Sequence, residues 1–175
     1  MLQQYISTVS LFVALLSAGA SCFANDLSPE EIEARDFSYK SVGIGTSLER
    51  FKKDFPNIKI YTNKNGPETA SCVIRPTKTR AVIVEFFRGR AYNLKVTIHS
   101  DEVARIGGAK VIVEKLKRKF GSSDDTFEDG DLNWYFPRIY RDVYFTTEEP
   151  EFAMISVTDM KAHTQLQVEK MWPKN

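Results

Sequence analysis

The sequence predicts an α+β fold: a single antiparallel sheet from two helix-plus-three/four-strand units, with the helices packed on one face. Three observations carry that expectation. A hairpin pattern runs over 82–99, two short amphipathic helices share one spacing of apolar residues, and strand-like runs follow each helix. At 175 residues, 42% hydrophobic and 27% charged, the chain has the composition of one globular domain. The net charge of +1 offers no bulk attraction to nucleic acid or to an acidic membrane surface.

Residues 1–24 carry no charged side chain, run apolar over 9–16 and then turn to small residues before Cys22-Phe23-Ala24. That pattern predicts a secretory signal peptide cleaved after Ala24, and hence a periplasmic or secreted protein. The apolar run is short against the ~20 residues a spanning helix needs. Membrane attachment would follow only from acylation of Cys22 or from an uncleaved signal. Cleavage leaves Cys72 as the one cysteine, so no internal disulfide forms. Cys72 reads as a small buried apolar side chain on a strand, or alternatively as a reactive thiol or one end of an intermolecular bridge.

Residues 25–36 form a polar arm in which Ser28-Pro29-Glu30-Glu31 suits the start of a short surface helix. The domain proper is expected over 37–159, as pseudo-repeats 37–99 and 100–159. Thr46 and Glu49 have capping-box spacing, and Leu48, Phe51 and Phe55 make one apolar stripe ended by Pro56. Strand-like runs follow at 58–62 and 71–75.

On the second arm of the hairpin Tyr92, Leu94, Val96 and Ile98 alternate with polar residues; the first arm matches with Val82, Val84 and Phe86. Pairing residues whose numbers sum to 178 sets apolar side chains against apolar ones and implies a loop of three or five residues around Arg88-Gly89-Arg90. A second helix starts near Ser100, is interrupted at Gly107-Gly108 and carries the stripe Val113, Leu116 and Phe120. Further strands are expected at 132–136, 139–146 and 152–158, before a tail, 160–175, that can tuck in through Val168, Met171 and Trp172.

The glycine-bounded segment Gly43-Ile44-Gly45-Thr46-Ser47-Leu48-Glu49-Arg50-Phe51 resembles the unit repeated in β-lactamase-inhibitor-protein-like domains. It is also similar to the small outer-membrane assembly lipoproteins of the BamE type. The resemblance implies a binding module whose exposed sheet face grips another protein. It assigns no individual functional residue.

No catalytic, metal or cofactor motif stands out. His99 and His163 lack carboxylates or thiols at ligand spacing. The acidic run 124–131 has the composition of a solvated loop. Two features point to binding. Six cations, Arg75, Lys78, Arg80, Arg88, Arg90 and Lys95, stand against Glu85 alone within 75–95. Aromatic residues alternate onto the sheet face away from the helices, a face the tail could also cover. The expectation is a non-catalytic cell-envelope protein that contacts a protein or envelope polymer, and no nucleic acid. Phe87, Tyr135, Tyr140 and Tyr144 would be apolar anchors, with Arg88, Arg90 and Lys95 setting orientation. An α+β domain enclosing a ligand pocket or catalytic site is the alternative, as is a lipoprotein subunit of an outer-membrane machine.

Overall fold

The structure, a computed structural model, describes residues 27–63, 66–126, 130–148 and 152–172, without the side chain of residue 148. The expected signal peptide and Cys22 lie outside the described residues. Eight strands form one antiparallel sheet in the order β3-β4-β5-β6-β10-β9-β8-β7. The strands are β3 (Ile60–Thr62), β4 (Thr69–Thr77), β5 (Arg80–Phe87), β6 (Arg90–His99), β7 (Asp125–Thr126), β8 (Leu132–Phe136), β9 (Arg141–Glu148) and β10 (Phe152–Asp159). A second sheet pairs β1 (Ser38–Tyr39) with β2 (Val42–Gly43), so the single-sheet expectation holds only for the large sheet.

The apolar face is even-numbered on β4, β5, most of β6 and β8, and odd-numbered on β9 and β10, as the cross-strand register requires. Helix α1 (Pro29–Arg35), α2 (Leu48–Asp54), α3 (Ser100–Arg105) and α4 (Ala109–Phe120) contribute side chains to this side. Phe51 of α2 is fully buried, with ring centroids 5.0 Å from Phe55 and 5.3 Å from Phe86. Phe120 of α4 sits 6.0 Å from Trp134 and 6.3 Å from Phe136. The matched stripes thus do matched work on two halves of the sheet. The amino-terminal arm belongs to the same body, because α1 buries Ala34 against the α4 side of the core.

Three local expectations are corrected. Helix α2 is capped by Ser47, whose hydroxyl accepts from the Arg50 N–H at 3.2 Å, because Thr46 is engaged with the Gly43 N–H at 3.1 Å. The β5–β6 register sums to 178 only as far as Glu85↔Asn93; beyond it Phe86 pairs with Ala91 and Phe87 with Arg90. A bulge at Tyr92 absorbs the odd residue, leaving Arg88 and Gly89 as a two-residue turn with φ of 48° and 70°.

The third correction concerns the tail. Residues Met160–Met171 form helix α5 on the opposite face of the sheet, so the helices do not all share one side. Tyr92 meets His163 with ring centroids 6.4 Å apart, and Arg88 at the hairpin tip pairs with Glu169. Leu166 is buried, whereas Val168, Met171 and Trp172 are 44%, 61% and 68% exposed and do not tuck in. No described helix is long and apolar enough to cross a membrane.

Candidate binding surface

The face beneath α5 is polar where the other face is apolar. Ser156 donates to the Asn93 side chain at 3.0 Å, and both are buried with Thr158. Asp142 lies in the same layer, where burial raises its carboxyl above the ordinary value while the Asn133 side chain and His163 pull it back. Tyr92 is pushed up to about 12, first by burial and then by Glu85, to which its hydroxyl donates at 3.5 Å. These contacts link α5 to the sheet, although Asn133 Oδ1 and His163 Nδ1 are buried without a hydrogen-bond partner among the described residues.

One cleft opens where α5 begins. It has a volume of about 650 Å³ and is lined by Tyr135, Tyr140, Met160, Lys161, Thr164 and Gln165. Alternation along β8 buries Leu132, Trp134 and Phe136 and turns Tyr135 outward, 47% exposed. The Tyr135 N–H, on the part of β8 that β7 leaves unpaired, donates to Asp124 at 2.6 Å. A 3₁₀ turn, Pro137–Ile139, ends at Tyr140 in the left-handed region at φ 52° and ψ 45°. Such a conformation is uncommon for a non-glycine residue. It is held from several sides: the Tyr140 carbonyl accepts from the Met160 N–H at 3.0 Å, and Arg141 donates to the same carbonyl at 3.3 Å. Arg141 also reaches Asp159, the cap of α5, at 3.0 Å. The corner therefore fixes an exposed tyrosine beside the first turn of α5.

A second cleft, of about 520 Å³, lies at the other end of the same face. Arg75, Lys78 and Arg80 reach it from the β4–β5 turn, with Thr97, His99 and Phe152 from β6 and β10. Thus the six cations of the basic segment do not form one patch. The β4–β5 and β5–β6 turns are at opposite ends of β5, and Arg75, Lys78 and Arg80 separate from Arg88 and Arg90.

Of the seven residues expected to bind a partner, the structure brings Tyr135 and Tyr140 together. Tyr144 is half-buried and donates to the buried Asp131. Phe87 is 4% exposed on the α5 face, so it offers no protruding anchor. Arg88 is paired with Glu169, Lys95 with Glu85 at 3.3 Å, and Arg90 donates to the Gly45 carbonyl at 3.3 Å. Met160 and Thr164 were missed because nothing in the tail's pattern shows where α5 lands. The acidic run is partly structural, as Asp124 and Asp131 show; 127–129 lie outside the described residues.

Cys72 is fully buried, its thiol donating to the Val84 carbonyl at 3.8 Å, and burial pushes it up to about 11. A thiol so shifted is not a ready nucleophile. Among the described residues no group of three or more His, Cys, Asp or Glu is placed to hold a metal ion. Fold and clefts together define an α+β protein with a large antiparallel sheet whose unburied aromatic and basic side chains line open surface clefts. Comparison with known protein families, curated proteins and solved structures finds no match to this chain.

Proposed function

We propose that this is an exported, non-catalytic binding protein of the cell envelope that recognises a protein or envelope polymer. The contact is made on the sheet face that carries α5, at the cleft of Tyr135, Tyr140 and Met160. The observation that carries the reading is the pinned corner at Tyr140. A left-handed backbone and hydrogen bonds from Met160 and Arg141 hold a tyrosine 55% exposed next to a second exposed tyrosine. Tyrosine supplies both an apolar ring and a polar tip, and with two rotatable side-chain angles it loses little entropy on binding. The reading accommodates the resemblance of Gly43-Ile44-Gly45 and the following helix to β-lactamase-inhibitor-protein-like units. In it, the sheet is two helix-and-meander repeats joined at β6 and β10, and the secretory signal delivers the chain to the envelope.

The test is affinity capture from an envelope extract with the purified protein beside a Tyr135→Ala, Tyr140→Ala variant of unchanged circular dichroism. A species retained by the wild type and lost by the variant is the expected result. Equal retention by both, or no retained species, would remove the cleft as the contact site.

A further inference from the structure

The cleft at the β4–β5 turn has the chemistry of an anion site with an apolar floor. Among the described residues that line it none is a carboxylate, while Arg75, Lys78, Arg80 and His99 do line it; the Asp101 carboxylate lies just outside, 3.5 Å from His99 Nδ1. Arg75 and Lys78 have no ion-pair partner among the described residues. The contrast with Arg88, Lys95 and Arg141, all paired, separates uncommitted cations from structural ones.

The turn that carries these cations is anchored. Glu102 of α3 is buried, and it accepts from Arg80 Nε at 2.7 Å, from Arg105 at 3.1 Å and from the Thr79 hydroxyl. These bonds aim the Arg80 guanidinium and hold its carboxylate partner ionised, down at about 2, chiefly through the Arg80 and Thr79 hydrogen bonds. The His99 N–H also donates to the Thr79 carbonyl at 2.8 Å, tying the turn to the end of β6. His99 Nδ1 accepts the Asp101 N–H at 3.4 Å, and Nε2 has no partner among the described residues. Phe152 stands directly across from His99 in the β6–β10 register and lines the cleft with Thr97.

We propose that this cleft binds an acidic oligosaccharide, a sugar chain bearing carboxylate or phosphate groups. Such a ligand sets an anionic group against Arg75 and Lys78, the C–H face of a ring against Phe152, and hydroxyls against Thr97 and His99. Phe152 and Thr97 beside the cations favour a sugar chain, which offers a ring face and hydroxyls as well as charge, over a membrane surface met through charge alone. The inference shares with the function proposed above only the premise that the protein is a binder. Its residues are separate from the tyrosine cleft.

Isothermal titration of the purified protein tests it with four probes: an oligogalacturonate, a phosphorylated mannan fragment, a neutral oligosaccharide of the same length, and vesicles containing anionic phospholipid. Binding is expected for one or both acidic sugars, weakening with added salt. An Arg75→Glu, Lys78→Glu variant should lose about ten-fold or more of that affinity, since two charge-assisted contacts are reversed. Both side chains are exposed, so circular dichroism should not change. Tyr135→Ala, Tyr140→Ala should bind the acidic sugar as well as wild type. Equal binding of the neutral sugar, binding of vesicles alone, or binding to none of the four overturns the inference. Loss in the tyrosine variant but not in the charge-reversed one also overturns it, and transfers the ligand to the other cleft.

Discussion

On one face of the large sheet Phe51, Phe86, Trp134 and Phe145 are packed out of solvent between strands and helices. On the other, Asn93, Ser156 and Thr158 are buried beside the single large ring of Phe87, and α5 adds Leu166. The first arrangement draws on burial of large apolar area, at roughly 25 cal/mol per Å². The second rests on polar contacts with small net value, about 0.5–1.5 kcal/mol each once competition with water is counted. One sheet therefore carries a face that makes the fold and a face that is lightly covered at one end and open at the other. The two clefts are on the second.

The largest break in this comparison comes from the apolar face. Phe51→Ala should cost about 3–5 kcal/mol in urea unfolding, because its neighbours Phe55 and Phe86 cannot close around the void. Leu166→Ala should cost less, about 2 kcal/mol, near the low end for such truncations. Its effect should be confined to α5: reduced helical signal and loss of amide protection over 160–171, with the sheet's unfolding midpoint little changed. A global collapse would show that α5 is part of the main core.

The open end is tied down by an ion pair, and acid sharpens the distinction. The Glu102 carboxyl is lowered from the usual 4.5 to about 2, first by the Arg80 and Thr79 hydrogen bonds. A lowered folded value means that its contribution is complete above about 4.5 and is lost as pH falls through about 2. Glu102→Gln should destabilise at neutral pH and flatten the acid limb of the stability profile between those values. An unchanged limb would contradict the anchoring role. The smallest effect is expected at Arg88→Ala, which breaks the pair with Glu169 by removing a half-exposed guanidinium and leaves a carboxylate that water still reaches. It should cost at most about 1 kcal/mol, less in high salt.

The apolar face was legible in the sequence because period and burial coincide there. The strand over 132–136 has the expected bounds, the Val82↔Val96 and Val84↔Leu94 pairs are as expected, and both helix stripes point inward. The polar face was not legible for the converse reason. Val168 and Met171 of α5, with Trp172 just past its end, face water while His163 and Leu166 turn to the sheet, so apolar periodicity indicates the wrong side.

Alternation along β8 indicated that Tyr135 faces outward, and Tyr140 is exposed as expected although its backbone is a turn rather than a strand. Their neighbour Met160 comes from the element the sequence left unplaced. The basic segment was visible as composition, but its division depends on which turns lie at which end of the sheet. Phe87 and Tyr144 share the correct face, yet face alone does not tell what covers them.

Native-state hydrogen exchange tests the difference between the faces most directly. Amides of α5 should exchange through a local opening whose free energy is well below that of global unfolding and depends weakly on denaturant. Amides of β5 and β6 should exchange only with global unfolding. If α5 and the central strands share one opening free energy and one denaturant slope, the two faces form a single cooperative unit, and the account of a lightly held, accessible face is wrong.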